Sequence, residues 1–211
     1  MSEQINIENV IRNTRKYWYI DGIAEIAGGL IIFLAGMTYW FVSTLENTAG
    51  KMVLLTFAQP AVIILGSYLS QKYLPRIKER LTYPRTGYLS FRKPSRNRRI
   101  KRILIVGLIA AGIGALVSML IVTSKVPNQF LPLFSSIFLA LFSIYIGYHT
   151  AVSRFYIIGF LMVLLGLVIS LFNQEGILPY TLFFSGVGVI WILSGVITLI
   201  NYLRKTSRQV V

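Results

Sequence analysis

Long apolar runs joined by short polar segments dominate the chain. Six windows rich in Leu, Ile, Val, Phe and Gly fall at 20–42, 52–70, 103–123, 131–148, 155–172 and 178–200. Each is long enough to cross a hydrocarbon core of about 30 Å as a helix. In lipid every backbone N–H and C=O must find a partner within the chain, which leaves helices or closed barrels. The short alternating strands of a barrel are missing. The pattern therefore predicts an all-α fold, a polytopic bundle of six transmembrane helices in a single transmembrane domain over 1–211. Tyr17, Trp18 and Tyr19 before the first window, and Tyr39 and Trp40 near its end, suit interfacial belts.

Charge orients the bundle. Of the 21 Lys and Arg residues, nineteen fall before the first window, in the stretch 71–102 between the second and third, around Arg154, or after the sixth; Lys51 and Lys125 fall on the opposite side. Basic residues stay cytoplasmic, so both termini are expected inside, together with the basic loop 71–102. Residues 1–16 are polar and lack the shape of a secretory signal, so the first window is expected to stay in the mature protein. The location expected is a prokaryotic cytoplasmic membrane. The composition agrees: 55% of residues are hydrophobic, 13% are charged and the mean hydropathy is +0.67, too little polar surface for a soluble domain.

Glycine recurs inside the windows at every seventh position. Gly22, Gly29 and Gly36 mark span one, Gly107 and Gly114 span three, Gly159 and Gly166 span five, and Gly188 and Gly195 span six. A heptad keeps one stripe facing a neighbour, and small residues let two backbones approach closely where lipid removes the hydrophobic drive between helices. A basic residue (Lys16, Arg102 or Arg154) stands shortly before each odd-numbered stripe. This reads as one helical hairpin used three times, with the basic loop inserted after the first. The glycine stripes can equally join helices of one copy or of two, so a homo-oligomer stays open.

The segments GIAEIAGGLIIFLAG in span one and RFYIIGFLMVLLGLVISL in span five resemble the hairpins of the small six-span HdeD-type membrane proteins, associated with acid resistance. The resemblance covers the spans and not the basic loop. It implies a six-span fold and carries no site residue.

Few groups in the spans offer chemistry. With no cysteine and His149 as the one histidine, thiolate chemistry, disulfides and Cys-containing metal sites are excluded. No cofactor and no metal are expected. Asp21 is the only aspartate, against the two that an intramembrane aspartyl protease needs, and His149 lacks a serine partner in a protease motif. The sharpest candidates are Asp21 and Glu25, four apart and so on one helical face. Counted from Trp18 at the interface, Glu25 lies roughly 10 Å deep. Intramembrane carboxylates often mark ion or proton paths. Alternatively they complement the positive end of the helix and pair with Arg15, Lys16 or Arg154. Gln59, before Pro60 in the middle of span two, is a third candidate for an ion or proton site, because broken helices free backbone carbonyls.

The loop carries eleven of the fourteen net positive charges. PRIKERL opens it as a candidate short amphipathic helix, followed by TYPRTGYLSF and RKPSRNRRIKR. Arg76, Lys78, Arg80, Arg85, Tyr88, Arg92, Lys93, Arg96, Arg98 and Arg99 are expected to contact anionic lipid head groups or a cytoplasmic protein partner, at about 1 kcal/mol per cation near the surface. An adjacent membrane competes for the same charge, which argues against nucleic acid as the partner. The expected function is that of a non-enzymatic membrane component acting through this loop. The alternative is a small transporter or proton-linked channel using Glu25.

Overall fold

The computed structural model describes residues 18–82, 128–172 and 176–206. They form an all-α bundle of five helices: α1 (Ile23–Ser43), α2 (Thr48–Leu81), α3 (Leu131–Thr150), α4 (Arg154–Leu171) and α5 (Leu178–Lys205), with a 3₁₀ turn at Asn128–Phe130 leading into α3. All five are long and apolar enough to cross a membrane. The window 103–123 and most of the basic loop lie outside the described residues, as do Gly107 and Gly114.

Local chemistry sets the helix ends. Gly22 adopts a left-handed conformation (φ 72°) just before α1. A Cβ there would also sit 2.9 Å from the Thr198 side chain of α5, so both backbone and space favour glycine. Asn47 caps α2, its side chain accepting from the Ala49 N–H at 2.9 Å. Between α3 and α4 the chain reverses through Ala151 (φ 54°), with the Val152 N–H donating to the Gly147 carbonyl at 3.2 Å. The Ser143 hydroxyl ties the two helices together by donating to the Phe155 carbonyl at 2.8 Å.

α2 differs most from its expected form. The second window was expected to end at residue 70, with PRIKERL as a separate helix and a break at Gln59-Pro60. Instead α2 is one continuous helix of 34 residues that contains both Pro60 and Pro75. At 1.5 Å per residue it is about 51 Å long, well beyond the roughly 30 Å core. Charge stops a hydropathy window, but a helix can continue into water. Pro75 lacks a backbone N–H, yet the helix continues through it to Leu81.

α1 packs most extensively against α5, and α3 against α4; α2 lies on α1, and α4 on α5. Several glycines lie where a neighbouring helix leaves no room for a Cβ. A Cβ at Gly29 would lie 2.8 Å from the Gly188 carbonyl oxygen, and one at Gly195 would lie 2.7 Å from the Gly22 oxygen. On the other pair, a Cβ at Gly166 would fall 2.9 Å from the Pro132 oxygen and one at Gly159 3.2 Å from that of Ala140. Phe155, Ile158, Met162, Phe183, Val187 and Trp191 fill the space between α4 and α5. The outward faces carry exposed Phe57, Ile64, Phe160 and Ile197, a surface suited to lipid.

The ends of the helices fall into two groups. Lys78 near the end of α2, Arg154 at the start of α4 and Tyr202 near the end of α5 all come to the start of α1. α2, α3 and α5 therefore run toward that end of the bundle, and α1 and α4 run away from it.

Candidate functional site

Asp21 and Glu25 are fully buried, each against a cation. The side chain of Asp21 first serves its own chain: Oδ1 accepts from the Ile23 N–H at 3.1 Å, satisfying one of the donors left over at the start of α1. Lys78 then reaches across from α2, with Nζ 3.0 Å from both carboxylate oxygens. The Thr82 hydroxyl donates to Oδ2 at 3.0 Å, and the Tyr202 hydroxyl of α5 donates to the Thr82 carbonyl at 3.3 Å. Lys78 also donates to the Trp18 carbonyl and lies 4.4 Å from the centre of the Trp18 ring.

Glu25, one turn deeper, is held in the same manner from the other side. Arg154 donates to Oε1 through Nε at 2.8 Å and through its terminal NH2, which also bonds the Tyr19 carbonyl. Ser194 of α5 donates to Oε2 at 3.1 Å. Burial, with the Glu25 charge as a second cause, pushes the Tyr19 phenol above its usual value. Its ring meets Phe155 edge-on at 5.4 Å. Two carboxylates and two cations thus join the start of α1 to α2, α4 and α5. Among the described residues, no three His, Cys, Asp or Glu side chains group as a metal site.

Gln59 stands far from this cluster. Its amide donates to the Ala35 carbonyl at 3.0 Å and to the Thr38 hydroxyl at 2.9 Å, bonding α2 to α1. Among the cations expected at the surface, Arg76 and Arg80 are exposed, while Lys78 is turned inward and only 2% exposed. Burial on Asp21 removes Lys78 from any surface role. Arg85, Tyr88, Arg92, Lys93, Arg96, Arg98 and Arg99 lie outside the described residues, as do Arg15 and Lys16. Arg154 was one of three partners foreseen for the carboxylates. Lys78, Thr82 and Tyr202 were not foreseen, and the available signal was weak: Ser67, Gln71, Leu74 and Lys78 recur at helical spacing on one face of α2.

A cavity of about 800 Å³ opens beside the cluster, between α1, α2 and α3. Neither Asp21 nor Glu25 lines it.

Comparison of the chain with protein-family models, with curated proteins and with solved structures returns no match. The likeness to HdeD-type hairpins therefore stays one of glycine-and-leucine pattern. Five long apolar helices fit an integral multi-pass membrane protein.

Proposed function

We propose that the protein is a non-enzymatic component of a prokaryotic cytoplasmic membrane, built from six spans in three hairpins, with both termini and the basic loop inside. Its working part is the loop, which engages anionic lipid head groups or a cytoplasmic protein partner. The bundle serves as the scaffold that holds it. The neutralisation of both first-span carboxylates carries this reading: Glu25 is taken up by Arg154 and Ser194, and Asp21 by Lys78 and Thr82. A proton or cation path would instead need a carboxylate reachable from water.

Chain direction supports the sixth span. α2 ends and α3 begins at opposite ends of the bundle, and the apolar window 103–123 lies between them in the sequence. The glycine heptads supply the packing device, since their stripes mark the close approaches of α1 to α5 and of α3 to α4. Exposed Lys72, Arg76 and Arg80 on the last turns of α2 extend the basic surface toward the loop.

The test compares the full chain with a deletion of residues 84–99, which spares Lys78 and Thr82. Both are reconstituted in vesicles of mixed phosphatidylcholine and phosphatidylglycerol. Enrichment of labelled phosphatidylglycerol around the protein should fall on deletion and with added salt, and proton flux should be the same for wild type and Glu25→Gln. Undiminished enrichment after deletion, with no loss of a captured partner, overturns the loop's role. Flux that disappears with Glu25→Gln establishes the transporter instead.

A further inference from the structure

The cavity beside the ion pairs has the character of a ligand site. Its walls are Ala24, Ala27, Gly28 and Ile31 of α1, Leu74 and Pro75 of α2, Phe142 and Ile146 of α3, and Trp191 of α5, with Trp18 and Tyr19 at the end near the ion pairs. Polar groups enter from one face of one helix: Ser67, Ser70 and Gln71 of α2. Trp191 is 7% exposed, and its indole N–H has no hydrogen-bond partner. At about 800 Å³ the space falls within the range of small-molecule pockets.

We infer that this cavity holds one acyl chain of an anionic glycerophospholipid, with the head group at the basic end of α2. The apolar walls suit hydrocarbon. The serine and glutamine side chains suit ester carbonyls, which accept hydrogen bonds. Charge complementarity selects the head group. On the turns of α2 beside Gln71 and Pro75, exposed Lys72, Arg76 and Arg80 outnumber the single exposed acid, Glu79. The inference rests on reading the chain as membrane-embedded with its basic end at the surface.

Tryptophan placement supplies the test. The chain has three, and two of them, Trp18 and Trp191, line the cavity, whereas Trp40 is 51% exposed at the opposite end of α1. Two single-tryptophan chains are made, one keeping Trp191 (Trp18→Phe, Trp40→Phe) and one keeping Trp40 (Trp18→Phe, Trp191→Phe). Each is reconstituted in vesicles containing phosphatidylglycerol or phosphatidylcholine brominated on the acyl chain. Trp40 reports embedding, and if it is not quenched, the membrane reading itself fails. With Trp40 quenched, Trp191 should be quenched to a comparable extent and more strongly by the brominated phosphatidylglycerol. Gly28→Phe should abolish Trp191 quenching and leave Trp40 unchanged. A Cβ at Gly28 would meet the Trp191 ring at 3.7 Å, an ordinary contact, so the backbone has room for a side chain beside that ring. Ala27→Leu gives the same readout with a smaller plug. Replacing Lys72 or Arg76 by Gln should lower the preference for phosphatidylglycerol about fivefold per cation, the equivalent of about 1 kcal/mol each. An unquenched Trp191 beside a quenched Trp40 means that water or another part of the chain occupies the cavity, and overturns the inference. Quenching unaffected by both plugs does the same.

Discussion

Replacing Arg154 by Met leaves Glu25 fully buried with only the Ser194 hydroxyl bonded to it. Breaking a buried pair by removing one partner costs about 3–5 kcal/mol, because the remaining charge keeps its desolvation penalty without its counterion. The opposite change is milder. Glu25→Gln leaves a guanidinium that is 25% exposed and still bonded to the Tyr19 carbonyl, so the loss approaches that of charge-assisted hydrogen bonds, roughly 1.5–3 kcal/mol. Removing both charges (Glu25→Leu with Arg154→Met) should restore stability to near wild type, since a well-packed apolar pair of similar volume substitutes for a buried ion pair with little loss. Equilibrium unfolding in detergent micelles, followed by tryptophan emission, measures all three. The expected order is wild type, with the double variant close to it, then Glu25→Gln, then Arg154→Met. If Arg154→Met costs no more than Glu25→Gln, or if the double variant is as unstable as Arg154→Met alone, the pair is not the desolvated clamp described above.

The glycine contacts and the orientation lend themselves to equally direct tests. Gly188→Ala places a Cβ 2.5 Å from the Phe33 backbone nitrogen and should cost about 1–3 kcal/mol by overpacking, whereas Gly28→Ala meets ordinary contact distances and should be neutral or stabilising by up to about 1 kcal/mol; the same unfolding assay separates them, and equal effects refute the close approach. With no native cysteine to interfere, Glu46→Cys should react with an impermeant maleimide added to intact cells, while Ser90→Cys should react only after permeabilisation; the reverse labelling inverts the proposed orientation.

Four of the helices were legible because their apolar runs stop at polar residues, glycine or proline: α1 before the joint at 44–47, α3 and α4 either side of Ala151, and α5 after the turn near Gly176. The length of α2 was hidden, because Lys72 to Arg80 end a hydropathy window without ending a helix. Asp21 and Glu25 stood out as carboxylates in an apolar setting, and Arg154 as a lone cation between two spans. Lys78 did not stand out. It is one of many cations in a basic stretch, 57 residues from Asp21, and only the packing of α2 on α1 brings them together. Gln59 beside Pro60 suggested a break, yet proline within a membrane helix is tolerated when a neighbouring helix supports it, and here Gln59 bonds to α1.

The fastened end of α2 has a mechanical consequence. Lys78 and Thr82 are fastened to Asp21 and Tyr202 at the very tip of the helix, so the sequence YPRTGY follows directly on an anchored residue. A binder that grips this stretch near its root loses less freedom on association than one gripping a free tail, and so retains more of its contact energy as affinity. On the proposed reading of the loop, severing Lys78 from Asp21 would release that root and weaken capture without altering the loop's own residues.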